Sequence, residues 1–179
     1  MTISAKEKTQ ISVDVLEKIS NTDLADLCYN TEQAVKAGGG FGWITVPPRD
    51  VLKKYWNSML LTNTNTLIAG RLNGDIAGSM QLSFYPPNNE AQKNISSIQS
   101  HFVAPWARGY GLAKAMIDYA ILKSKENNKV SIQLDIRETQ TAAIQLFESK
   151  GFIRWGENPT YAFVNGNPIK GYYYYRNIK

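Results

Sequence analysis

Arg108-Gly109-Tyr110-Gly111-Leu112-Ala113 joins a predicted strand, Ser96–Val103, to a predicted helix that runs to about Glu126. A glycine-rich turn that enters a helix directs several backbone N–H groups toward one point, and the helix dipole adds partial positive charge there. Arg108 and Lys114 add full positive charges. The combination predicts a phosphate-binding turn, and we expect it to bind the pyrophosphate of a nucleotide-like cofactor.

The segments after this turn alternate between helix and strand patterns. Val130–Arg137 alternates apolar and polar residues, which is typical of a strand. Thr141–Lys150 predicts a short helix that ends at Gly151. Phe152–Trp155 and Gly171–Asn177 predict two closing strands. The strand, helix and strand around the glycine turn therefore predict one parallel step in the sheet.

The segments before the turn predict a strand, two helices and a hairpin. Asn73-Gly74 is a strong two-residue hairpin signal, and it separates the predicted strands Asn65–Leu72 and Asp75–Phe84. Upstream come a strand at Ile11–Val15, a helix capped by Asn21 or Thr22 and ended by Gly38-Gly39-Gly40, and a helix after Pro47-Pro48. The full order predicts an α/β fold with a mixed, mostly antiparallel sheet of six to seven strands and about four helices.

Length and composition predict one globular domain. The chain has 179 residues, of which 43% are hydrophobic and 11% aromatic, enough for a single sizeable core. We assign residues 1–10 to a polar tail and residues 11–179 to the domain. The net charge of +5 is scattered along the chain and suits a small acidic ligand. No nucleic-acid-binding motif is present, so we expect no nucleic-acid partner.

Cysteine usage and hydropathy predict the compartment. Cys28 is the only cysteine, so no internal disulfide can form, as is usual in a reducing cytosol. It falls on an apolar helix stripe, which predicts a core position. The first ten residues contain no apolar run, and no segment reaches the ~20 apolar residues of a membrane span. We expect a cytoplasmic protein that neither binds a membrane nor holds a metal.

The glycine turn has a competing interpretation. Gly109-Tyr110-Gly111 resembles half of a dinucleotide-binding fingerprint, and Asp135 lies near the end of the next strand, where a ribose-binding acid is expected. Against it, Lys114 occupies the third glycine position, and Ala104–Ala107 lengthens a turn that should be tight. A nicotinamide-dependent oxidoreductase therefore remains an alternative to be tested.

A wider pattern points to a family. Val103-x-Pro105-x-x-Arg108-Gly109-x-Gly111-x-Ala113-x-x-Met116 resembles the cofactor motif of the GCN5-related N-acetyltransferase (GNAT) superfamily. Gln140-x-x-Ala143-Ile144-x-Leu146-Phe147-x-x-x-Gly151-Phe152 is similar to that family's N-x-x-A-x-x-L-Y-x-x-x-G-F motif. The segment Gly151-Phe152-x-Arg154-x-Gly156-x-x-Pro159-x-Tyr161, with the Asn165-Gly166 turn, looks like the tabtoxin resistance protein group.

The resemblance implies a GNAT fold and a chemistry. Members move an acetyl group from acetyl-CoA to a primary amine in a ternary complex. The backbone from Arg108 to Lys114 would bind the pyrophosphate, and the backbone at Phe102 and Val103 would bind the acetyl carbonyl. The residues implied at the coenzyme are Phe102, Val103, Arg108, Gly109, Tyr110, Gly111, Leu112, Ala113, Lys114, Gln140, Ala143 and Phe147.

Two positions depart from the family pattern. Phe147 replaces the usual tyrosine, which serves as the acid toward the leaving thiolate, and a phenyl ring has no proton to donate. Gln140 replaces the usual asparagine and has a longer reach. Tyr110, Tyr161, Tyr172 or water are the alternative acids. A catalytically weak acyl-CoA sensor is therefore an alternative function.

The acceptor amine must lose a proton before it attacks, so a base is expected. The candidates are His101, Asp135 and Glu138. Each also has a purely structural interpretation: His101 as a hydrogen-bonded strand residue, Asp135 as a turn acid and Glu138 as a solvated side chain. Asp135, His101 and Tyr161 are our predicted catalytic residues.

We expect aromatic residues to form part of the wall of the acceptor pocket, because cation–π attraction would hold the ammonium of the acceptor there. Trp43 and Tyr161 are the predicted substrate-binding residues, and the Gly38–Gly42 loop is expected to form a mobile substrate edge. Tyr55 and Trp56 are either a further part of this wall or core residues, as their helical spacing favours.

The sequence therefore predicts an acetyl-CoA-dependent N-acetyltransferase that acts on a primary amine of a small molecule, either amino-acid-like or a toxin or antibiotic. A protein lysine or N-terminal acetyltransferase is an alternative. We also expect a homodimer, formed by pairing of the tyrosine-rich last strand with a second copy.

Overall fold

The computed structural model describes residues 9–39 and 41–178. Residues 1–8 of the predicted polar tail, Gly40 of the predicted helix stop and Lys179 lie outside the described residues. Gln10 exchanges two hydrogen bonds with Asn73 of the hairpin turn: its backbone N–H donates to Asn73 Oδ1 at 2.9 Å, and its carbonyl accepts from Asn73 N at 2.9 Å. The described end of the tail is therefore tied to the domain.

Seven strands and four α-helices form the described part of the chain. In order they are β1 (Ile11–Val15), α1 (Asn21–Lys36), α2 (Arg49–Ser58), β2 (Asn65–Leu72), β3 (Asp75–Phe84), β4 (Ile95–Val103), α3 (Leu112–Glu126), β5 (Ser131–Arg137), α4 (Thr141–Ser149), β6 (Ile153–Val164) and β7 (Asn167–Asn177). The predicted order, the α/β class and the mostly antiparallel sheet are confirmed. No helix in the described ranges has the length and apolar character needed to cross a membrane.

The β2–β3 hairpin has the predicted bounds. Asn73 and Gly74 both have positive φ, 51° and 99°, as the tight turn between twisted strands requires. Two predictions were wrong in detail. Ser20 caps α1, with its side chain accepting a hydrogen bond from Asp23 N, so the predicted caps are already helical. The closing strands β6 and β7 are longer than predicted because they continue to the Asn165-Gly166 turn.

The sheet has the strand order β1-β2-β3-β4-β5-β7-β6. Every pair is antiparallel except β4 and β5, so the single parallel step falls around the glycine turn, as predicted. One parallel step is too few for a doubly wound dinucleotide-binding domain, which counts against the oxidoreductase alternative.

The last strand cannot pair with a second copy as predicted, whereas the homodimer itself stays a prediction. The structure places β7 between β5 and β6, so both of its edges are hydrogen-bonded within the chain. The outer strands of the described sheet are β1 and β6.

Two apolar clusters cover the two faces of the sheet. One contains α3 and α4 residues such as Met116 and Phe147, and the other contains α1 and α2 residues such as Cys28 and Trp56. Cys28 is fully buried, as predicted, and burial raises the pKa of its thiol, so it is a core residue rather than a nucleophile. The helices therefore hold the sheet rigidly from both sides.

β4 diverges from β5 in the middle of the sheet. The two strands pair only between Ile95–Ser97 and Ser131–Gln133. Beyond this point β4 carries a bulge against β3, where the register shifts between Ser79 and Gln81, and Ser100 adopts a positive φ of 48°. This separation of β4 from β5 opens the sheet where the site lies.

Candidate active site

The glycine turn forms an anion-binding site at the start of α3. Gly109 and Gly111 have φ of +86° and +85°, a left-handed conformation that side chains rarely adopt. Among the described residues, no protein acceptor receives a hydrogen bond from the backbone N–H groups of 109–114. Six consecutive free donors at a helix N-terminus, beside Arg108 and Lys114, fit a pyrophosphate.

A groove of about 920 Å³ extends from this turn. Nearly all the predicted coenzyme residues line it, namely Phe102, Val103, Arg108, Gly109, Gly111, Leu112, Ala113, Lys114, Gln140 and Ala143. Two predicted residues lie elsewhere. The Tyr110 side chain is half exposed and lines no cavity, so only its backbone can take part. Phe147 is buried and lines a second cavity.

That second cavity, of about 500 Å³, lies against the exposed end of β5. The predicted catalytic residues Asp135, His101 and Tyr161 all line it. It meets the groove, because both share the lining residues Ile44, His101, Arg137, Gln140, Ala143 and Val164. We call it the acceptor cavity. The site thus has two compartments that meet where β4 and β5 diverge.

Asp135 and Tyr161 are joined directly. The Tyr161 hydroxyl donates a hydrogen bond to Asp135 Oδ2, although β7 lies between their strands. Burial and the Asp135 hydrogen bond both raise the pKa of Tyr161 above its ordinary value, so the hydroxyl stays protonated at neutral pH. Tyr161 is therefore a donor here and not a base.

Gly171, which sequence reasoning missed, allows this contact. It lies in β7 opposite Arg137 and Asn158, and a Cβ added there would come within 2.1 Å of the Tyr161 ring. The absence of a side chain lets the Tyr161 ring cross β7 toward Asp135. The signal in the sequence was a glycine in a tyrosine-rich strand, because a glycine in a strand often marks a place where another group approaches the backbone closely.

His101 is held in an apolar setting. Its Nε2 is buried and has no hydrogen-bond partner among the described residues, and its ring lies edge-on to Phe147 at 5.5 Å between centroids. Burial lowers the pKa of His101 to about 4, so the imidazole is neutral at neutral pH. A base with this pKa and an enclosed Nε2 is a weak candidate for accepting the amine proton.

Arg137 and Gln140 tie the α1–α2 loop to the site. Arg137 Nη2 donates to the carbonyls of Gly39 at 2.8 Å and Phe41 at 3.2 Å. Gln140 Nε2 donates to the Gly38 carbonyl at 2.7 Å. Gln140 thus contacts this loop as well as lining the groove. The three bonds oppose the expected mobility of the loop, and Arg137 was not among the predicted site residues.

The remaining candidates divide between site and scaffold. Trp43 lines the groove and contacts Tyr55, with ring centroids 4.8 Å apart. Trp56 is fully buried and donates to Thr31 Oγ1, so its interpretation as core is confirmed. Tyr172 lies under the Arg154 guanidinium and lines neither cavity.

Glu138 is not a free base. Its backbone N–H donates to the Lys170 carbonyl, and one of its carboxylate oxygens accepts from Lys170 N. Of the four alternative acids, Tyr161 is the tyrosine that lines a cavity.

Comparison with known proteins identifies the family. The model of the acetyltransferase (GNAT) family matches residues 29–152. The chain is 41% identical over 132 residues to an uncharacterized N-acetyltransferase of the hisH-hisA intergenic region of Azospirillum brasilense, covering 74% of this chain and 79% of that protein.

Solved structures share the fold. An N-acetyltransferase from Staphylococcus aureus Mu50 has a TM-score of 0.79 and 16% identity, covering 95% of this chain and 99% of that one. A phosphinothricin acetyltransferase from Sinorhizobium meliloti, solved in complex with acetyl-CoA, has a TM-score of 0.76 and 17% identity, covering 95% and 88%. With the family model matching more than half of its length, the chain belongs to the GNAT family of N-acetyltransferases.

Proposed function

We propose that this enzyme transfers an acetyl group from acetyl-CoA to a primary amine of a small molecule, in a ternary complex. The observation that carries the proposal is the junction of the two compartments. The groove begins at an anion-binding turn, and the acceptor cavity holds a carboxylate. A donor and an acceptor bound in these compartments would meet without a covalent enzyme intermediate.

The groove residues fit coenzyme A. The N–H groups of 109–114 would bind its pyrophosphate, and Arg108 and Lys114 would supply positive charge. Bound acetyl-CoA supplies the activated acetyl group. The backbone of the diverging part of β4, around Phe102, no longer pairs with β5 and is our candidate donor to the acetyl carbonyl.

Asp135 is our candidate base or ammonium-binding residue. An alkylammonium has a pKa near ~10 and must lose a proton to attack. Asp135 Oδ2 accepts from Tyr161, while Oδ1 receives no hydrogen bond from any described residue. The carboxylate can therefore hold the ammonium and orient it, and pass its proton to solvent, since Asp135 is exposed. Tyr161 orients the carboxylate, and because its one hydroxyl proton is held by Asp135, water is our candidate donor toward the leaving thiolate.

The size and lining of the acceptor cavity support a small acceptor. Its 500 Å³ matches a small molecule, and Phe41, Phe147 and Phe163 line it. The resemblance of Gly151–Tyr161 to the tabtoxin resistance protein group supports an amino-acid-like or toxin acceptor.

Thermal unfolding with and without acetyl-CoA tests cofactor binding. Acetyl-CoA at 100 times its Kd is expected to stabilise the protein by ~2.7 kcal/mol, and NAD or NADP is expected to have no effect. Release of free CoA in the presence of a panel of small amines then tests catalysis. Stabilisation by NAD or NADP alone would refute the proposal.

The loss of the family tyrosine favours a second candidate, a sensor that binds acyl-CoA without turnover. Phe147 is buried against His101 and Phe152 and has no polar atom. The same experiment decides between the two functions. Binding of acetyl-CoA with no CoA release for any amine or peptide would establish the sensor.

A further inference from the structure

Arg137 occupies an unusual position for a structural arginine. It lines both the groove and the acceptor cavity and is partly buried at their junction. Nη2 is engaged with two loop carbonyls, while Nε and Nη1 donate to no acceptor among the described residues. The guanidinium also forms no ion pair with a described carboxylate. A partly desolvated cation with free donors favours an anionic ligand.

Asp135 presents the opposite charge beside it. Residues two apart in a strand point to the same face and lie ~7 Å apart, so Asp135 and Arg137 face the same side of β5. They form no ion pair with each other, because Asp135 bonds Tyr161 and Arg137 bonds the α1–α2 loop. The cavity therefore offers a carboxylate and a guanidinium to one ligand.

The rest of the cavity wall is mixed. It includes the apolar residues Phe41, Ile44, Ile98, Leu134 and Phe163, and the polar residues Gln99, Ser100 and His101. An α-amino acid combines the matching features: an ammonium, a carboxylate bonded directly to the amine-bearing carbon, and a side chain that can contact the apolar residues of the wall. Resting on the proposed function, we propose that the acceptor is an α-amino acid with an apolar side chain, and that Arg137 binds its α-carboxylate through its positive charge and a free N–H donor.

The coenzyme does not account for Arg137. Its phosphates have a dedicated site at the N-terminus of α3, where Arg108 and Lys114 supply the charge. Support of the loop does not require the positive charge of an arginine either, because Gln140 bonds the same loop through a neutral amide. A guanidinium keeps its full positive charge while Nη2 bonds the loop, and its other N–H groups can each donate a charge-assisted hydrogen bond to a carboxylate oxygen.

Matched acceptors test the proposal on the full chain with acetyl-CoA. CoA release is measured with L-leucine, L-leucinamide and 3-methylbutylamine, and with the corresponding methionine set. The acid is expected to exceed both analogues by about 10-fold or more in kcat/KM. The amide has the more easily deprotonated amine, so a preference for the acid cannot arise from basicity.

Arg137→Gln is expected to lower the ratio of kcat/KM for L-leucine over 3-methylbutylamine by about 10- to 100-fold, chiefly through KM. Arg137→Lys should recover part of this ratio because it keeps the positive charge but changes the position and number of the N–H donors. Gln140→Ala is the matched control for loop support. It is expected to lower turnover of both acceptors together and to leave the ratio unchanged.

Two results overturn the inference while the proposed function stands. One is a wild-type enzyme that acetylates the amine or amide as well as the acid, or only amines without a carboxylate, such as spermidine. The other is an Arg137→Gln variant that loses activity with the ratio unchanged, which would limit Arg137 to supporting the loop. Absence of CoA release with every small amine overturns both the inference and the proposed function.

Discussion

The Tyr161 hydroxyl reaches Asp135 across an intervening strand, over the bare backbone of Gly171. Three strands thus cooperate in one contact: β6 supplies the donor, β5 the acceptor and β7 the gap. The contact fixes the carboxylate at the wall of the acceptor cavity, with Oδ1 free. The proposed amine-binding group is therefore preorganised by residues that are 26 and 36 positions away from it in sequence.

Removing the Tyr161 hydroxyl should impair catalysis more than folding. Hydrogen bonds to charged groups are worth ~1.5–3 kcal/mol, so Tyr161→Phe is expected to lower kcat/KM by about 10- to 100-fold while the far-UV spectrum is retained. Tyr173→Phe is the matched control, since it removes a hydroxyl from a neighbouring ring that has no hydrogen bond to a described residue. Equal activities of the two variants would show that the Tyr161–Asp135 bond has no role in the reaction.

A side chain at position 171 should displace Tyr161. In Gly171→Ala the new methyl would lie 2.1 Å from a ring carbon, so the ring must move and the Asp135 bond must break. We expect a loss of unfolding free energy of ~1–3 kcal/mol and a loss of activity like that of Tyr161→Phe.

Gly156→Ala is the control for this substitution, because its methyl would meet the Tyr173 ring at an ordinary 3.5 Å. Urea denaturation and CoA release are measured for both variants. Full activity of Gly171→Ala would mean that the ring has another route to Asp135.

An acid in the glycine turn should abolish coenzyme binding. Gly111→Asp places a carboxylate beside the N–H groups that would bind the pyrophosphate, and the positive φ of 85° adds backbone strain. Gly74→Asp carries a comparable strain, with φ of 99°, in a hairpin turn that lines neither cavity. In isothermal titration with acetyl-CoA, only the Gly111 variant is expected to lose binding. Unchanged affinity would place the phosphates elsewhere.

Restoring the family tyrosine should be tolerated. Phe147→Tyr adds one hydroxyl at the wall of the acceptor cavity, and we expect a Tm within a few degrees of wild type and a kcat that is equal or higher. Phe147→Leu is the control for ring contacts, since it removes the edge-on interaction with His101. Collapse of kcat in the tyrosine variant would show that Phe147 is required for the shape of the cavity.

His101 should make the folded protein sensitive to acid. The unfolded chain protonates this residue near its ordinary pKa of 6.5, whereas the folded chain does so only near about 4. Between these values the unfolded state binds the extra proton, so stability falls as the pH falls. The contribution of His101 at pH 4.5 is a loss of ~2–3 kcal/mol relative to pH 7.5.

The variant His101→Phe, which keeps an aromatic ring but cannot be protonated, isolates this contribution from those of the carboxylates. Urea denaturation at pH 7.5 and 4.5 should show a smaller loss of stability for the variant than for wild type. Identical losses in the two proteins would contradict a neutral, buried imidazole.

Local patterns were enough to predict most of the fold. The Asn73-Gly74 turn requires positive φ at both residues, and the alternating apolar residues of Val130–Arg137 are typical of a half-buried strand. In both cases the structure of the segment depends on residues that are close together in sequence. The glycine turn was predicted for the same reason, because its donors come from six consecutive residues. Where a cap depended on one hydrogen bond, as at Ser20, the prediction missed by one or two positions.

Contacts between distant segments were decided by the tertiary structure. The sequence alone determined the order of elements, the glycine turn and the position of Asp135 near a strand end, and the family resemblance singled out Tyr161. It could not place β7 between β5 and β6, because strand order depends on which surfaces bury together and not on chain order. Only that arrangement brings Tyr161 over Gly171 to Asp135. The tertiary structure also places Arg137, at the end of β5, where it bonds the α1–α2 loop and lines both compartments.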